Sequence, residues 1–447
     1  MNKTVLIISL VTVGLLTACN AVPVKTPGTL SIPTGIALSP SPTSPPTQTD
    51  TILAASPTAV STPTLALTTT PEPITPGTER RCLQVQTAVS ESFFSGGQLL
   101  FWGMHLFAFS PQSHQLLPML SPSAGQAVSS FGVVSPDGRK LAFHTAEYDA
   151  QGKLLGYKLW ISSGESGQVL ASLPWNANWS GFDGWLDNER LLVQSSSKAD
   201  GTRIVLSPFA GSSQELKSSF PDISMGPYVD DHPAWDAVYD PSLTRVVYLK
   251  ENTPQGFRGP ALWDLQNNKE LWSMGYPQSH HVEMAPRWSP DGTRLAVAAQ
   301  KVTLDDVYKD EKLILENHFD LFSVSRDGQA TQLTHFSDDL THQVRLERLS
   351  WSPNGRYISF WMLIDEDWFH LVVLDTVTQH VIDYCILDGG AAFPAVWSPD
   401  STQFIVASDG PDREHKFVVV DIVNNIAAQI PEVAGLSYAV GWMTTIP

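Results

Sequence analysis

Histidine and carboxylate side chains cluster in long polar segments, mostly in the second half of the chain. The clusters are Asp230-Asp231-His232, His280-His281-Val282-Glu283, Asp305-Asp306, His335 with 338–339 and His342, 365–367 with His370, and Asp409-Gly410-Pro411-Asp412. Imidazoles and carboxylates are the ligand types of zinc, manganese and calcium sites. No fixed metal spacing such as His-Glu-x-x-His or an EF-hand loop occurs, so a bound divalent cation stays an open alternative.

Solvation offers a second explanation for these clusters, because polar residues collect in loops whether or not they bind a ligand. Four tryptophans in or near the same segments favour binding, since an indole can stack on a sugar ring; they are Trp175, Trp179, Trp235 and Trp368. The predicted ligand-binding residues are Asp230, Asp231, His232, His280, His281, Glu283, Asp305, Asp306, His342 and Trp368.

Several function classes are disfavoured by what the sequence contains. Acidic residues outnumber basic ones by 45 to 27, and the formal charge of -18 argues against nucleic acid as a partner. No Gly-x-Ser-x-Gly elbow, phosphate loop or dinucleotide fingerprint occurs. We therefore name no catalytic residue and no organic cofactor, and we expect a monomer.

A recurring phrase shows which elements must position these segments. Ser-Pro-Asp-Gly or a close variant, followed by an apolar run, stands at 134–143, 288–297, 351–360 and 397–406, with degenerate copies at 94–97, 185–188 and 239–242. Proline fixes φ at the second turn position and glycine accepts a positive φ, so each copy predicts a tight hairpin. A second strand pair follows each hairpin, as at 159–170 and 261–264.

Four strands per unit at a spacing of roughly 40 to 60 residues predict an all-β fold, a β-propeller. Counting the hairpins gives seven four-stranded blades, and six or eight remain alternatives because the degenerate copies are hard to count. The last strand, 438–442, lacks a hairpin partner of its own. We expect it to pair into the first blade and close the ring, which leaves no open edge. Tryptophans that begin repeats, such as Trp288, Trp351 and Trp397, are expected in the core between blades.

The repeat resembles those of the TolB C-terminal domain and of the dipeptidyl-peptidase propeller, over about residues 82–447. The resemblance implies the fold and little about function. TolB's own N-terminal domain and a peptidase hydrolase domain are both missing, so neither role is implied. Some oligogalacturonate lyases are propellers with related repeats and a His-bound metal, which keeps a metal-dependent enzyme acting on polysaccharide as the alternative function.

The blade geometry predicts which face carries function. The Ser-Pro-Asp-Gly turns lie on one rim of a propeller, and the long connections lie on the opposite rim. The polar clusters fall in those long connections, and nine of the 12 histidines lie in or beside them. The insertion at 301–318 is expected to form a lip over the central channel.

The N-terminus predicts export and anchoring. A basic start at Lys3 precedes an apolar run from Val5 to Leu16, which is the length of a signal-peptide core. The run ends in Leu16-Thr17-Ala18-Cys19, which resembles the bacterial lipobox. The resemblance implies cleavage after residue 18 and a lipid on Cys19, with the protein held at the membrane and facing the outside or the periplasm.

Residues 19–78 are rich in Pro, Thr and Ser and predict a disordered stalk ahead of the propeller at 79–447. Beyond Cys19 the chain has Cys82 and Cys385, and a disulfide is permitted outside the cell. Each precedes a repeat start by twelve residues, so equivalent positions in different blades would lie too far apart to bond. A bridge then requires a displaced N-terminal strand, and two buried thiols are the alternative.

Together these features predict a lipid-anchored surface propeller that binds a protein, peptide or glycan without catalysis.

Overall fold

The structure is a computed structural model. It describes residues 77–87, 91–94, 97–102, 106–110, 113, 115–120, 126–128, 132–164, 167–176, 178–195, 203–216, 237–251, 258–274, 285–300, 318–338, 342–365, 368–389, 393–409, 415–430 and 438–444. The predicted signal peptide, Cys19 and almost all of the predicted stalk lie outside these ranges.

Seven antiparallel sheets form the seven blades of a β-propeller, which confirms the predicted fold and blade count. Blade 1 contains, from the central channel outward, Tyr438–Met443, Gln98–Trp102, Leu106–Ser110 and Gln115–Leu120. Blade 2 contains Gln126–Val128 and Val133–Val134, then Lys140–Tyr148, Leu154–Ser163 and Val169–Trp175. Blade 3 contains Trp179–Trp185, Leu191–Ser195, Arg203–Ser207 and Ser212–Leu216.

The other four blades repeat this order. Blade 4 contains Ala237–Tyr239, Arg245–Glu251, Arg258–Asp264 and Lys269–Ser273. Blade 5 contains Arg287–Trp288, Arg294–Gln300, Phe319–Ser325 and Ala330–Gln332. Blade 6 contains Val344–Trp351, Tyr357–Ile364, Phe369–Asp375 and His380–Asp388. Blade 7 contains Val396–Trp397, Gln403–Asp409, His415–Asp421 and Ile426–Ile430.

Short 3-10 helices are the described helical elements, at Glu91–Phe94, Pro208–Ala210 and Phe336–Asp338. Within the described ranges, no helix combines the length and apolar character needed to cross a bilayer.

The C-terminal strand closes the ring, as the sequence predicts. Tyr438–Met443 pairs antiparallel with Gln98–Trp102 and supplies the innermost strand of blade 1. Thr444 continues the contact, because its backbone N–H donates to Gly138 O of blade 2 at 2.8 Å. The hairpin expected at 94–97 is wrong, because the C-terminal strand supplies the innermost strand of blade 1 instead. Phe94 ends a 3-10 helix. Gly97 passes so close to Met443 that a Cβ on Gly97 would stand 2.4 Å from the carbonyl oxygen of Met443.

The core consists of hydrophobic clusters that each lie between two adjacent blades. The strand Arg294–Gln300 shows why, since alternate residues point to opposite faces of a sheet. Leu295 and Val297 pack toward blade 4, whereas Ala296 and Ala298 pack toward blade 6. Both faces of a blade are therefore covered, which explains why these strands read as continuous apolar runs instead of alternating ones.

Tryptophans join neighbouring blades through a recurring hydrogen bond. The indole Nε1–H at the end of one innermost strand donates to a carbonyl of the preceding blade, at 2.9 to 3.1 Å; the pairs are Trp185 to Val133, Trp288 to Val238, Trp351 to Arg287, and Trp442 to Val396. In each case the acceptor stands one residue before the equivalent strand end. These tryptophans are inter-blade core residues, as expected.

The Ser-Pro-Asp-Gly turns form one rim of the ring, which we call the turn rim. In the copy at 289–294, Ser289 Oγ donates to Asp291 Oδ1 at 2.6 Å and accepts from the backbone N–H of Arg294 at 3.0 Å. Neighbouring turns are also bonded to each other, as when Arg294 Nη2 donates to Gly355 O at 2.7 Å. The polar groups of this rim are largely satisfied within the protein.

The N-terminal strands do not belong to blade 1. Thr78–Arg80 adds in parallel to the outer strand of blade 6, and Val85–Gln86 adds in parallel to the outer strand of blade 7. We call residues 78–86 the strap. Its Cys82 forms a disulfide with Cys385, with Cα atoms 4.7 Å apart. The displaced N-terminal strand that a bridge requires is therefore present, because the strap lies across blades 6 and 7 instead of occupying the equivalent place in its own blade, and the alternative of two buried thiols is wrong.

Candidate functional site

The rim opposite the turns, which we call the loop rim, is the face on which the sequence predicts the polar segments. Most of the predicted ligand-binding residues lie outside the described residues: Asp230, Asp231, His232, His280, His281, Glu283, Asp305 and Asp306. His342 and Trp368 are described, and both belong to the loop-rim end of blade 6. The structure therefore supports a candidate site on that blade and leaves the other clusters as predictions.

His342 and Asp365 form an exposed pair at this end of blade 6. Their Nδ1 and Oδ2 atoms are 2.6 Å apart, and their side chains are 43% and 49% exposed. The backbone N–H of Gln343 donates to Asp365 Oδ1 at 2.9 Å, which orients the carboxylate. Because a carboxylate accepts, the His342 proton lies on Nδ1, and Nε2 is then an acceptor in the neutral ring.

Trp368 belongs to the same end of blade 6, just before the third strand. Its indole covers Gly389, where a Cβ would stand 3.0 Å from Trp368 Cζ3. The side chain is half-buried, so part of the ring remains accessible. This end of blade 6 therefore offers both an aromatic side chain and a His–Asp pair, which are the residue types of a glycan or peptide contact.

A second His–Asp pair stands on the same rim. His335 Nδ1 and Asp338 Oδ2 are 3.4 Å apart and both side chains are more than half exposed, on the connection from blade 5 to blade 6. Two-residue pairs do not make a metal centre by themselves. Among the described residues, no three His, Cys, Asp or Glu side chains converge to hold a metal ion.

Three histidines assigned to the polar segments lie in the body of the protein instead. His144 belongs to a strand of blade 2 and stacks on Trp175 with ring centroids 4.5 Å apart. Burial lowers the pKa of His144 to about 4. His318 is buried, and His370 lies 3.4 Å from the buried carboxylate of Asp383. Trp175 is likewise buried between blades 2 and 3, so it is no sugar platform.

Three charged residues belong to the innermost strands of different blades. Asp183, Arg287 and Arg348 each stand one to three residues before the tryptophan that ends the innermost strand of blade 3, 5 or 6. Burial lowers the pKa of Arg287; Asp183 opposes this shift and Arg348 adds to it, so the three charges interact.

Asp183 and Arg287 have different hydrogen-bond partners. Arg203 Nε donates to Asp183 Oδ2, and Gln194 Nε2 donates to Asp183 Oδ1 at 2.6 Å. The guanidinium of Arg287 donates from Nη1 to Pro286 O at 3.3 Å. Within the described ranges, no carboxylate lies at ion-pair distance from Arg287.

Sequence reasoning missed Arg287 and Arg348. A signal for Arg287 exists, because it stands directly before a repeat tryptophan, where the equivalent residues of three other blades are Val133, Val238 and Val396. A charge at a position that other repeats fill with valine is an exception to the repeat pattern. No comparable signal marks Arg348, which stands at a β-bulge.

Comparison with known proteins gives likeness in fold only. No family model matches the chain, and no curated protein matches it. Among solved structures, it is similar to TolB from Acinetobacter baumannii (11% identity, 80% of this chain, 86% of that chain, TM-score 0.41). It is also similar to a periplasmic gluconolactonase from Pseudomonas aeruginosa (15%, 77% and 98%, 0.45) and to the Swd1 β-propeller domain of Myceliophteria thermophila (12%, 73% and 92%, 0.42). Similarity at this level carries no argument about activity or ligand.

Proposed function

We propose that this chain is a non-enzymatic binding or scaffold module of the cell surface. A lipid on Cys19 holds it at the membrane, residues 19–78 act as the stalk, and the loop rim recognises a protein, peptide or glycan.

The contrast between the two rims is the observation that carries this proposal. On the turn rim, side-chain and backbone groups bond to each other within turns and between blades, as Ser289, Asp291 and Arg294 do. On the loop rim, the side chains of His335, His342 and Asp365 are between 43% and 64% exposed, and Trp368 is partly accessible at the same end of blade 6. A ligand can reach these polar groups and the aromatic side chain from solvent, although the histidines also pair with Asp338 and Asp365.

Glycan and peptide arrays probed with the full chain test the proposal. The informative variants are His342→Ala and Trp368→Ala on the loop rim, with Arg139→Met as the matched turn-rim control, because Arg139 is exposed on the other face. We expect each loop-rim variant to weaken binding by about tenfold, the loss of one hydrogen-bonded or stacked contact, and the control to bind like the wild type.

Two results would count against the proposal. Equal binding by the wild type and both loop-rim variants would remove blade 6 from the binding face. Turnover of a polysaccharide that stops with a chelator would instead favour the metal-dependent enzyme and its undescribed His and Asp residues.

A further inference from the structure

We propose that the Cys82–Cys385 disulfide is a site of thiol–disulfide exchange, attacked at Cys82 by an external dithiol, and that its reduction releases the strap while the propeller stays closed. The inference goes beyond the proposed function, because it concerns how the chain is joined to blades 6 and 7 and not what the loop rim binds.

The two cysteines of the bridge differ in their access to solvent. Cys82 is exposed, whereas Cys385 is half-buried in the outer strand of blade 6. Exchange begins when a thiolate attacks one of the two disulfide sulfurs, and its rate depends on access to that sulfur. The exposure of Cys82 therefore makes it the site of attack and makes Cys385 the leaving group.

The leaving sulfur has a cation beside it. Arg80 Nε donates to Cys385 Sγ at 3.4 Å and lies 3.5 Å from Asp383 Oδ2. Asp383 is buried, and its Oδ2 lies 4.0 Å from Cys385 Sγ, so this carboxylate alone would oppose a thiolate there. Arg80 offsets that charge and donates to the sulfur. A nearby arginine lowers the pKa of a thiol, and a thiol of lower pKa leaves faster.

The backbone of blade 6 sets the direction of Cys385. In a regular strand, Cys385 would point to the same side as Asp383, two residues earlier. The strand instead has a β-bulge between Asp383 and Leu387, and Cys385 adopts a φ of 60° within it. The backbone N–H of Cys385 donates to Asp383 Oδ1 at 2.7 Å, which holds this conformation. Bulges re-aim side chains, and a non-glycine residue in the left-handed region is a strain typical of functional positions.

The strap has few other attachments, and ring closure does not include it. Three residue pairs join the strap to blade 6 and two join it to blade 7. The ring is closed separately, by the pairing of Gln98–Trp102 with Tyr438–Met443. Phe94, which follows the strap, packs in the core between blades 7 and 1. Opening the bridge therefore frees the strap and leaves the ring intact.

The exchange moves two electrons from the dithiol to the protein. The first thiolate of the dithiol bonds to Cys82 Sγ, the Sγ–Sγ bond breaks, and the electron pair leaves on Cys385 Sγ. The second thiolate attacks the mixed disulfide and expels Cys82 as a thiolate, so that the dithiol becomes a cyclic disulfide. The two protons lost by the dithiol are balanced by protonation of the two cysteines.

Reduction of the folded full chain by dithiothreitol, with new thiols alkylated and located by mass spectrometry, tests the exchange step. Arg80→Gln should react about threefold to tenfold more slowly than the wild type, since the leaving thiolate loses its cation beside Asp383. Arg80→Lys, which keeps the charge, should recover part of the rate. Arg81→Gln is the matched control and should react like the wild type, because Arg81 bonds to Glu79 and Asn425.

Two further measurements locate the attack and its consequence. With glutathione in place of the dithiol, the trapped mixed disulfide should form on Cys82. Hydrogen–deuterium exchange after reduction should be faster by about tenfold or more at 78–86, as expected for a segment that opens locally. Exchange at 98–102 and 438–443 should stay as in the oxidised protein.

Each contrary result has a definite meaning. Faster reduction of Arg80→Gln would show that the strap must open before the bridge reacts, and a mixed disulfide on Cys385 would reverse the direction of attack; either overturns the exchange site. Unchanged exchange at 78–86 after reduction would overturn strap release, and faster exchange at 438–443 would overturn its independence from ring closure. These results need no loop-rim ligand, so array binding that depends on His342 and Trp368 stands or falls separately.

Discussion

His144 shows how a residue type that suggests chemistry can instead belong to the core. Its side chain is 7% exposed and packs on Trp175 and Phe182. His144 is one of the nine histidines that the sequence analysis counts in or beside the polar segments. The pairing of its strand within blade 2 turns the imidazole toward blade 3, so His144 lies in the core and not in a loop.

Burial of His144 predicts a pH dependence of stability. Its pKa of about 4 in the folded protein lies below the 6.5 of an unfolded chain, so the unfolded state takes up the proton first as pH falls. The contribution of neutral, buried His144 to the free energy of unfolding is complete above pH 6.5 and is lost between pH 6.5 and 4. We expect the loss to be roughly 1 to 3 kcal/mol.

Thermal unfolding between pH 7 and pH 4.5 checks this prediction. His144→Phe keeps the ring packing and should flatten the pH dependence in that window, whereas His335→Gln, at an exposed histidine, should leave it as in the wild type. The same slope in all three proteins would show that His144 is not the responsible group. Turn carboxylates with a lowered pKa, such as Asp264 and Asp291, add to the pH dependence only near the acidic end of this window, and they do so equally in all three proteins.

The strap is the element that sequence analysis described least well. Its attachment depends on parallel strand pairing with blades 6 and 7, which a short run of residues does not encode. In the structure, Arg80 lies 3.5 Å from the buried carboxylate of Asp383, and Leu83 packs against the core between those blades. The strap begins at the end of the predicted stalk, so in the proposed arrangement it joins the stalk to the propeller.

We predict that the Cys82–Cys385 disulfide stabilises this attachment. Replacing either cysteine by serine should lower the free energy of unfolding by about 2 to 4 kcal/mol, since a disulfide restricts the unfolded chain. The measurements are thermal unfolding and limited proteolysis of the full chain, in which strap peptides should be released sooner. Reduced wild type should match the serine variants, and an unchanged unfolding temperature with no faster cleavage would refute the prediction.

At the scale of the whole molecule, the repeat motif predicts far more than any single residue does. The hairpins at 134, 288, 351 and 397 and the degenerate copies at 185 and 239 are all found, because turn chemistry and strand propensity are local. The ring closure followed from one unpaired strand at 438–442, because an open edge is unfavourable. The first blade was misread at 94–97, since its innermost strand comes from the other end of the chain.

The candidate site was less predictable than the fold. His342 and Trp368 were found because loop polarity marks the rim, whereas Arg287 and Arg348 were missed because they lie within strands. Asp183 and Arg287 belong to different blades and are far apart in sequence, so only the arrangement of the blades lets Asp183 affect the pKa of Arg287.

The central claim is that the two rims differ in function, with binding on the loop rim and internal bonding on the turn rim. Hydrogen–deuterium exchange of the full chain, with and without the strongest array ligand, tests it most directly. We predict slower exchange on binding at 342–345 and 368–370 and no change at 352–356 and 398–402. Protection confined to the turn segments, or spread equally over both rims, would contradict this assignment of the binding face.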